Sequence, residues 1–507
     1  MRAWVRFPTL GLWALRRMRW MVCHRVGPLW LWKALLVFAA IAFAGQLLGV
    51  IFNRSIQPER SRSPFPLSSS DVSLGSCRPH THLMFLKTHK TASSTVLNML
   101  YRFGEERNLN FALPLGYQFG YPLPFNAHRV KGYRGPRITE FHIMGNHMRF
   151  NKPEVEKVMP ADTFYFSIVR DPVALAESSY AYYKAVAPAF KKAKILGEFA
   201  EDPRKYYNPR LRFNHLARNA LWFDFGMDHN ANFSTVLAKR GVAAVRKAFR
   251  LILVSEYFDQ SMVLLRHALC WPLDAVVSFS LNARQQTAGG RGGVADSWVG
   301  KAVAGVGVGI GSASLGGASP HGLALTEEQR LKLRDWNALD WHLYQAFNKT
   351  FWEEVERFGR ARMEAEVGHL QTRREVLARV CLRDGGRPVE ANRIRDKTIR
   401  PYQSGLVKIL GYELQPGLDN ATRQACLRMI RPEIQYKDHL DARQFPRAAG
   451  QAPVIPPGGA HVRKDPGSPP RPGELRGSMG EEQRDWDGSR LARNHSLARA
   501  ERKDQMR

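Results

Sequence analysis

A strand, a hydroxyl-rich loop and a helix in immediate succession constrain this chain of 507 residues more than any other feature. The apolar run 82–86 predicts a buried strand, and the apolar residues between Val96 and Phe103 recur at the spacing of one helix face. Between them lies Lys87-Thr-His-Lys-Thr-Ala-Ser-Ser-Thr95. Free backbone N–H groups, the helix dipole and hydroxyl groups then converge on one spot, with the charge of Lys90 at its edge. The sequence therefore predicts an anion-binding loop, although the GxxxxGK[ST] pattern of nucleotide-binding P-loops is missing.

A second junction between a strand and a helix points to the same kind of ligand. The β-branched and aromatic run 163–169 predicts a buried strand that ends in Arg170-Asp171-Pro172. Asp171 is suited to cap the next helix and Pro172 to begin it. Arg170 offers a planar fork to a phosphate, and Ser178 follows about two turns into the predicted helix. The alternative interpretation of both junctions is structural: a plain strand–helix corner here, and a plain helix cap in the first loop.

Together the two junctions resemble the donor site of sulfotransferases that use 3′-phosphoadenosine 5′-phosphosulfate (PAPS). The order of lysine, small residue, hydroxyl residues and helix is similar to their 5′-phosphosulfate loop, and Arg-x-Pro followed by a serine is similar to their 3′-phosphate site. The resemblance implies that PAPS is the co-substrate. The residues that it implies in donor binding are Lys87, Lys90, Thr91, Ala92, Ser93, Ser94, Thr95, Arg170 and Ser178.

Longer segments resemble the vertebrate galactose-3-O-sulfotransferases. These segments are LKTHKTASST, His147-Met-Arg-Phe150, FSIVRDP, 253–259 and 334–348, and the likeness runs from about Cys77 to about Phe445. It implies transfer of a sulfuryl group to the 3-hydroxyl of terminal β-galactose on glycoprotein or glycolipid glycans. The O-glycan core Galβ1-3GalNAc is the first expected acceptor and Galβ1-4GlcNAc the second. A glycosaminoglycan uronyl or hexosyl O-sulfotransferase is the alternative within the class.

Sulfuryl transfer requires a group that neutralises the leaving phosphate and a base for the acceptor hydroxyl. Lys90 suits the first role, because a mobile ammonium can follow the bridging oxygen. A histidine suits the second, and His89, His142 and His147 lie in or near the right segments. We select His147, because residues 145–150 resemble the segment that carries the base in uronyl 2-O-sulfotransferases. His89 as a loop-shaping residue and His142 as a core residue are the alternatives, and this chemistry requires no divalent metal.

The alternation of strand and helix patterns predicts an α/β fold with a mostly parallel central sheet. The resemblance implies a P-loop-like PAPS sulfotransferase fold for it, over residues 77–445. The ligand is then expected beyond the carboxyl ends of the strands, where both junctions lie. Residues 286–322 are rich in Gly and Ala and predict an insertion, and residues 446–507 have the composition of a disordered tail.

The N-terminal residues predict a membrane anchor. Residues 34–52 are apolar apart from Gln46 and long enough to cross a bilayer, and basic residues without Asp or Glu precede them. This pattern predicts a cytosolic tail over 1–33, a transmembrane signal-anchor over 34–52 and a stem over 53–76, in a single-pass type II protein with a luminal catalytic domain. A cleaved signal peptide is the alternative. Residence in the Golgi membrane is implied by the family resemblance alone.

The predicted topology places four cysteines in an oxidising lumen, where three pairings into two disulfides are open. These cysteines are Cys77, Cys270, Cys381 and Cys426. Glycan acceptors are predicted at Asn232, Asn348 and Asn420. The sequence does not specify an oligomeric state.

The net charge of +30 is compatible with nucleic acid, an anionic membrane or small anions as partners. No nucleic-acid motif accompanies it, so nucleic acid is not an expected partner. A Golgi glycosyltransferase is the rival from another class, but the one DxD pattern, Asp485-Trp-Asp487, falls in the predicted tail. A non-catalytic carbohydrate-binding relative is a third possibility, against which Lys90, Arg170 and Ser178 together argue.

Overall fold

The computed structural model describes residues 77–284, 325–403 and 407–446. The predicted anchor, stem and insertion lie outside these ranges, as does the predicted tail apart from residue 446. Over the described ranges, no helix combines the length and the apolar character needed to cross a membrane. The anchor at residues 34–52 therefore stays a prediction.

Five strands of the described part form one parallel sheet in the order β2-β3-β1-β4-β5. They are β1 (Leu83–Leu86), β2 (Phe111–Ala112), β3 (Ile143–Met144), β4 (Phe164–Val169) and β5 (Leu251–Val254). A separate antiparallel pair consists of β6 (Val389–Glu390) and β7 (Leu410–Gly411). This arrangement confirms the expected mixed α/β fold with a parallel central sheet.

Helices alternate with the strands in the first part of the chain and dominate its second part. They are α1 (Ser93–Glu106), α2 (Lys152–Val155), α3 (Pro172–Tyr183), α4 (Pro188–Lys192), α5 (Leu196–Glu201), α6 (Pro203–Tyr206), α7 (Ala220–Asp224), α8 (Thr235–Ala248), α9 (Phe258–Leu269), α10 (Leu273–Val276), α11 (Glu327–Trp336), α12 (Ala338–Phe358), α13 (Arg360–Cys381), α14 (Asn420–Ile430) and α15 (Glu433–Gln444). Short 3-10 helices lie at Ala127–Arg129, Asn214–Ala217, Ser255–Tyr257, Ala391–Arg393 and Lys397–Ile399.

The strand β1 is the centre of the sheet and is buried along its whole length. Leu83 is in register with Ile143 on one side and Phe164 on the other. Two-sided burial explains why this strand reads as an uninterrupted apolar run rather than an alternating one. The two-residue strands β2 and β3 were not predicted, because so short a segment has no periodicity to detect.

The charged sequence from Thr326 to Cys381 has a helical pattern, and the structure confirms it and divides it into three helices. Thr326 opens the first of them with a capping box, in which its side chain and that of Gln329 bond each other's backbone N–H groups. The second and third helices meet at Gly359, whose φ of 97° is readily adopted only by glycine.

The structure pairs the four cysteines of the described part. Cys77 bonds Cys270, and Cys381 bonds Cys426. The second bridge ties α13 to α14 and so holds the C-terminal helices against the rest of the domain. Together the two bridges select one of the three pairings that the sequence left open.

Candidate active site

The two predicted junctions lie side by side at the carboxyl end of the sheet. β1 and β4 are neighbours, with Leu86 opposite Ser167, so the loop after β1 and Arg170 after β4 emerge from the same edge. The chain runs from β1 to one side of the sheet, through β2 and β3, and then crosses to β4 on the other side. Ligands of open parallel sheets bind at such a switch point.

The loop after β1 is curled by backbone geometry and by its own hydroxyl groups. Lys90 and Ala92 adopt left-handed backbone angles, with φ of 60° and 63°, which few non-glycine residues do. The hydroxyls of Thr91 and Ser93 donate to the Thr88 carbonyl at 3.2 and 2.6 Å. These side chains therefore shape the loop at the start of α1, where the Thr95 N–H donates to the Ala92 carbonyl at 3.0 Å.

The other two hydroxyl residues of the loop contact more distant parts of the chain. Ser94 donates to the carboxylate of Glu433 at 2.7 Å. The hydroxyl of Thr95 accepts a hydrogen bond from the Leu281 backbone at 3.2 Å. Of the four hydroxyls predicted to face the donor, that of Ser94 is the one engaged with an anionic group.

Lys90 lies within the loop, next to an aromatic ring of α3. Its ammonium lies 3.8 Å from the centre of the Tyr182 ring. Burial, together with the charges of Arg170, Lys87 and Arg284, lowers the pKa of Lys90 to about 7. These neighbouring positive charges repel one another. A bound anion with several negative charges would relieve that repulsion.

Arg170 contacts the loop directly, since its guanidinium donates to the Lys90 carbonyl at 3.0 Å. Asp171 caps α3 as predicted and accepts from the N–H groups of Val173 and Ala174. Ser178 is buried on the same helix, and no hydrogen bond links it to Arg170 within the described ranges.

Arg284 is a basic residue of this cluster that sequence reasoning missed. Burial and the positive charge of nearby Arg170 lower the pKa of Arg284. Arg284 stands immediately before the Gly-rich stretch, and no pattern around it signals a ligand.

His89 is held by a fully buried carboxylate. Its backbone N–H donates to Asp224 at 2.8 Å, and its Nδ1 lies 3.0 Å from each carboxylate oxygen. Tyr121 donates to the same carboxylate at 2.9 Å. Because a carboxylate only accepts, Nδ1 of His89 carries the proton and Nε2 presents its lone pair. No hydrogen-bond partner of that Nε2 is found among the described residues.

His147 stacks on His89, with ring centroids 3.9 Å apart, but both its nitrogens are engaged. Nδ1 lies 2.9 Å from the Lys87 carbonyl and must donate to it. Nε2 then accepts from the Lys87 ammonium at 2.8 Å. Burial and the charges of His89 and Lys87 lower the pKa of His147 well below its usual value. The structure thus brings the predicted base into the site in a weakly basic form.

His142 lies at the other end of the sheet, just before β3 begins. It is grouped there with His82 and Glu140, and the ligand atoms of the three lie within 4.8 Å of one another. Its position excludes His142 from contact with the loop at the carboxyl edge.

Two carboxylates of the site were also missed by sequence reasoning. Asp224 ends α7, and Glu433 begins α15. Asp224 follows an apolar run and Glu433 follows a proline, so neither has a local signal that distinguishes it from an ordinary surface or capping residue.

A parallel sheet that presents a lysine-bearing loop, an arginine and a carboxylate–histidine pair at one edge suits a group transferase with a phosphate-bearing donor. Similarity to known proteins identifies the kind of transferase. The galactose-3-O-sulfotransferase family model matches residues 26–301 and 318–444. The chain belongs to the galactose-3-O-sulfotransferase family and is a sulfotransferase. This family implies PAPS as the sulfate donor.

The relatives cover most of the chain. Human galactose-3-O-sulfotransferase 4 is 40% identical over 83% of this chain and 94% of its own length. Human galactose-3-O-sulfotransferase 2 is 46% identical over 73% of this chain and 85% of its own length. Human galactosylceramide sulfotransferase is 39% identical over 75% of this chain and 82% of its own length. The segments 117–122 and 129–133 of this sequence resemble those of galactose-3-O-sulfotransferase 4. None of the solved structures matches the chain significantly.

Proposed function

We propose that this chain transfers the sulfuryl group of PAPS to the 3-hydroxyl of terminal β-galactose, with the O-glycan core Galβ1-3GalNAc as its first acceptor. The observation that carries the proposal is the contact between the two phosphate motifs, in which Arg170 donates to the Lys90 carbonyl at 3.0 Å. His89 lies in the same loop and is hydrogen-bonded to Asp224 of α7. The proximity of these cations and of a histidine that could act as the base supports the proposal.

The proposed reaction is an in-line displacement at sulfur. The galactose 3-hydroxyl oxygen forms a bond to sulfur while the bond from sulfur to the bridging phosphate oxygen breaks. The hydroxyl proton passes to a histidine nitrogen, and the electron pair of the broken bond remains on adenosine 3′,5′-bisphosphate (PAP). Lys90 would stabilise the charge that develops on that leaving oxygen. The alternative glycosyltransferase motif, Asp485-Trp-Asp487, lies outside the described residues.

The acceptor is tested by sulfate transfer from labelled PAPS to a panel of glycans, followed by linkage analysis. Galβ1-3GalNAc should react best, Galβ1-4GlcNAc second, and galactose blocked at its 3-position should not react. Galactosylceramide belongs in the panel, because a relative is named for that lipid. Sulfate on the 6-hydroxyl, or on uronic acid of glycosaminoglycans, would overturn the acceptor assignment and leave the sulfotransferase class intact.

The 3′-phosphate site yields a separate prediction. Arg170→Ala and Ser178→Ala should mainly weaken donor binding, and Arg170→Ala should have the larger effect because its contacts are charge-assisted. The measurement is the affinity for PAP compared with that for adenosine 5′-phosphate, which lacks the 3′-phosphate. Wild-type discrimination between the two nucleotides in both variants would remove these residues from the site.

The proposed setting is the Golgi lumen, with residues 34–52 as a type II anchor. Replacing residues 1–60 with a cleavable signal should yield a secreted, active and glycosylated enzyme. Asn232 and Asn420 are exposed and suit glycosylation, whereas Asn348 is half-buried within α12. A secreted product that is folded but inactive would show that the N-terminal residues contribute to catalysis.

A further inference from the structure

Glu433 places a negative charge inside the cluster of donor-site cations. One oxygen of its carboxylate accepts from the Ser94 hydroxyl at 2.7 Å and lies 3.2 Å from the Lys87 ammonium. Lys87 itself is almost fully buried, with 3% of its side chain exposed. The carboxylate therefore contacts a cation and a hydroxyl of the loop that are both predicted to bind the donor.

The position of Glu433 is fixed by the packing of α15 on α1, the helix that the loop begins. Tyr436 and His439 of α15 bond the carboxylate of Glu105 in α1 at 2.6 and 2.7 Å. The side chain of Asn98 in α1 donates to the Arg431 carbonyl at 3.2 Å, just before α15 begins. Glu433 is thus held at the loop by its helix rather than by a flexible segment.

We propose that Glu433 is a positioning residue that competes with the donor for Lys87 and Ser94. Its carboxylate holds the Lys87 ammonium against Nε2 of His147, which keeps that ammonium in a productive place. It also offsets the positive charge that Lys87, Lys90 and Arg170 present to the donor, so that the anionic product PAP is bound less tightly than the cations alone would bind it. This inference rests on the proposed function, because it concerns the donor site.

The charge effect has a definite sign. One unit charge that lies within a few ångströms of a bound anion changes its affinity by about tenfold or more at an effective dielectric constant of about 20. Removing the negative charge of Glu433 should therefore tighten PAP binding about tenfold. Screening by salt should reduce the difference. A residue with only a structural role would weaken PAP binding when it is replaced, if it changed that binding at all.

The test uses the purified full-length chain and calorimetric titration with PAP at low and high salt. Glu433→Gln keeps the size of the side chain and a hydrogen-bond acceptor for Ser94, but it removes the charge. We expect an affinity for PAP about tenfold higher at low salt, a smaller gain at high salt, and kcat about tenfold lower because Lys87 loses its partner. Glu433→Asp retains the charge and should keep the affinity near that of the wild type.

Asp438→Asn is the matched control, since Asp438 lies on the same helix but pairs with Lys437. It should change PAP affinity less than twofold. Unchanged or weaker PAP binding in folded Glu433→Gln would overturn the inference. If Glu433→Gln does not fold, Glu433→Ala removes the same charge and gives the same test. A wild-type chain that does not bind PAP would overturn the proposed donor, and with it this inference.

Discussion

Lys90→Ala is expected to lower kcat by two or more orders of magnitude while the fold is retained. Lys90 lies in the proposed anion-binding loop, where its ammonium would stabilise the charge that develops on the leaving phosphate. The left-handed backbone angle of residue 90 costs alanine no more than it costs lysine, so the free energy of unfolding should change little. The measurement is single-turnover transfer from PAPS, with thermal unfolding as the check on the fold.

The pH dependence of donor binding should identify the same residue. The pKa of Lys90 is lowered to about 7 by burial and by neighbouring cations. Its charge is therefore lost as the pH rises through about 7, and affinity for PAP should fall between roughly pH 7 and pH 9. This fall should be smaller in Lys90→Ala, whereas Lys191→Ala, which removes an exposed lysine, should behave like the wild type. Near-normal turnover in a folded Lys90→Ala would exclude this lysine from the mechanism.

His89→Ala is expected to lower kcat by roughly two to four orders of magnitude, the usual scale for the loss of a positioned base. The sequence predicts His147 for this role, but we propose His89 from its hydrogen bonds. Asp224 fixes the His89 proton on Nδ1, so Nε2 presents a lone pair, whereas Nε2 of His147 accepts from Lys87. Affinity for PAP should remain close to that of the wild type, because the base acts on the acceptor.

Asp224→Asn provides the matched test of orientation. An amide donates as well as accepts, so it would no longer fix the proton on Nδ1 of His89, and kcat should fall while the donor still binds. His147→Ala should cost less than tenfold in kcat. A large loss in His147→Ala with an active His89→Ala would restore His147 as the base. In that case kcat should begin to fall only well below pH 6.5 as the solution is acidified, because burial and neighbouring cations lower the pKa of His147.

Much of the candidate donor site was predictable from local sequence. Lys90 and Arg170 each follow a strongly apolar strand, and the strands of a parallel sheet end at the same edge. Asp171 and Pro172 mark the start of α3 by capping preferences that act within a few residues. The helical region up to Cys381 was likewise predictable from its periodicity, although the breaks at Asn337 and Gly359 were not.

The sequence by itself determined the parallel α/β fold, the loop after β1 and the arginine that contacts it, because each depends on residues that are neighbours in the chain. The tertiary structure alone decided the disulfide pairing, the orientation of the histidines and the presence of two carboxylates in the site. Asp224 lies 135 residues from His89, and Glu433 lies 339 residues from Ser94. Contacts at that separation are set by how helices pack on the sheet. They leave no periodic or capping pattern around either residue, so only the folded chain reveals them.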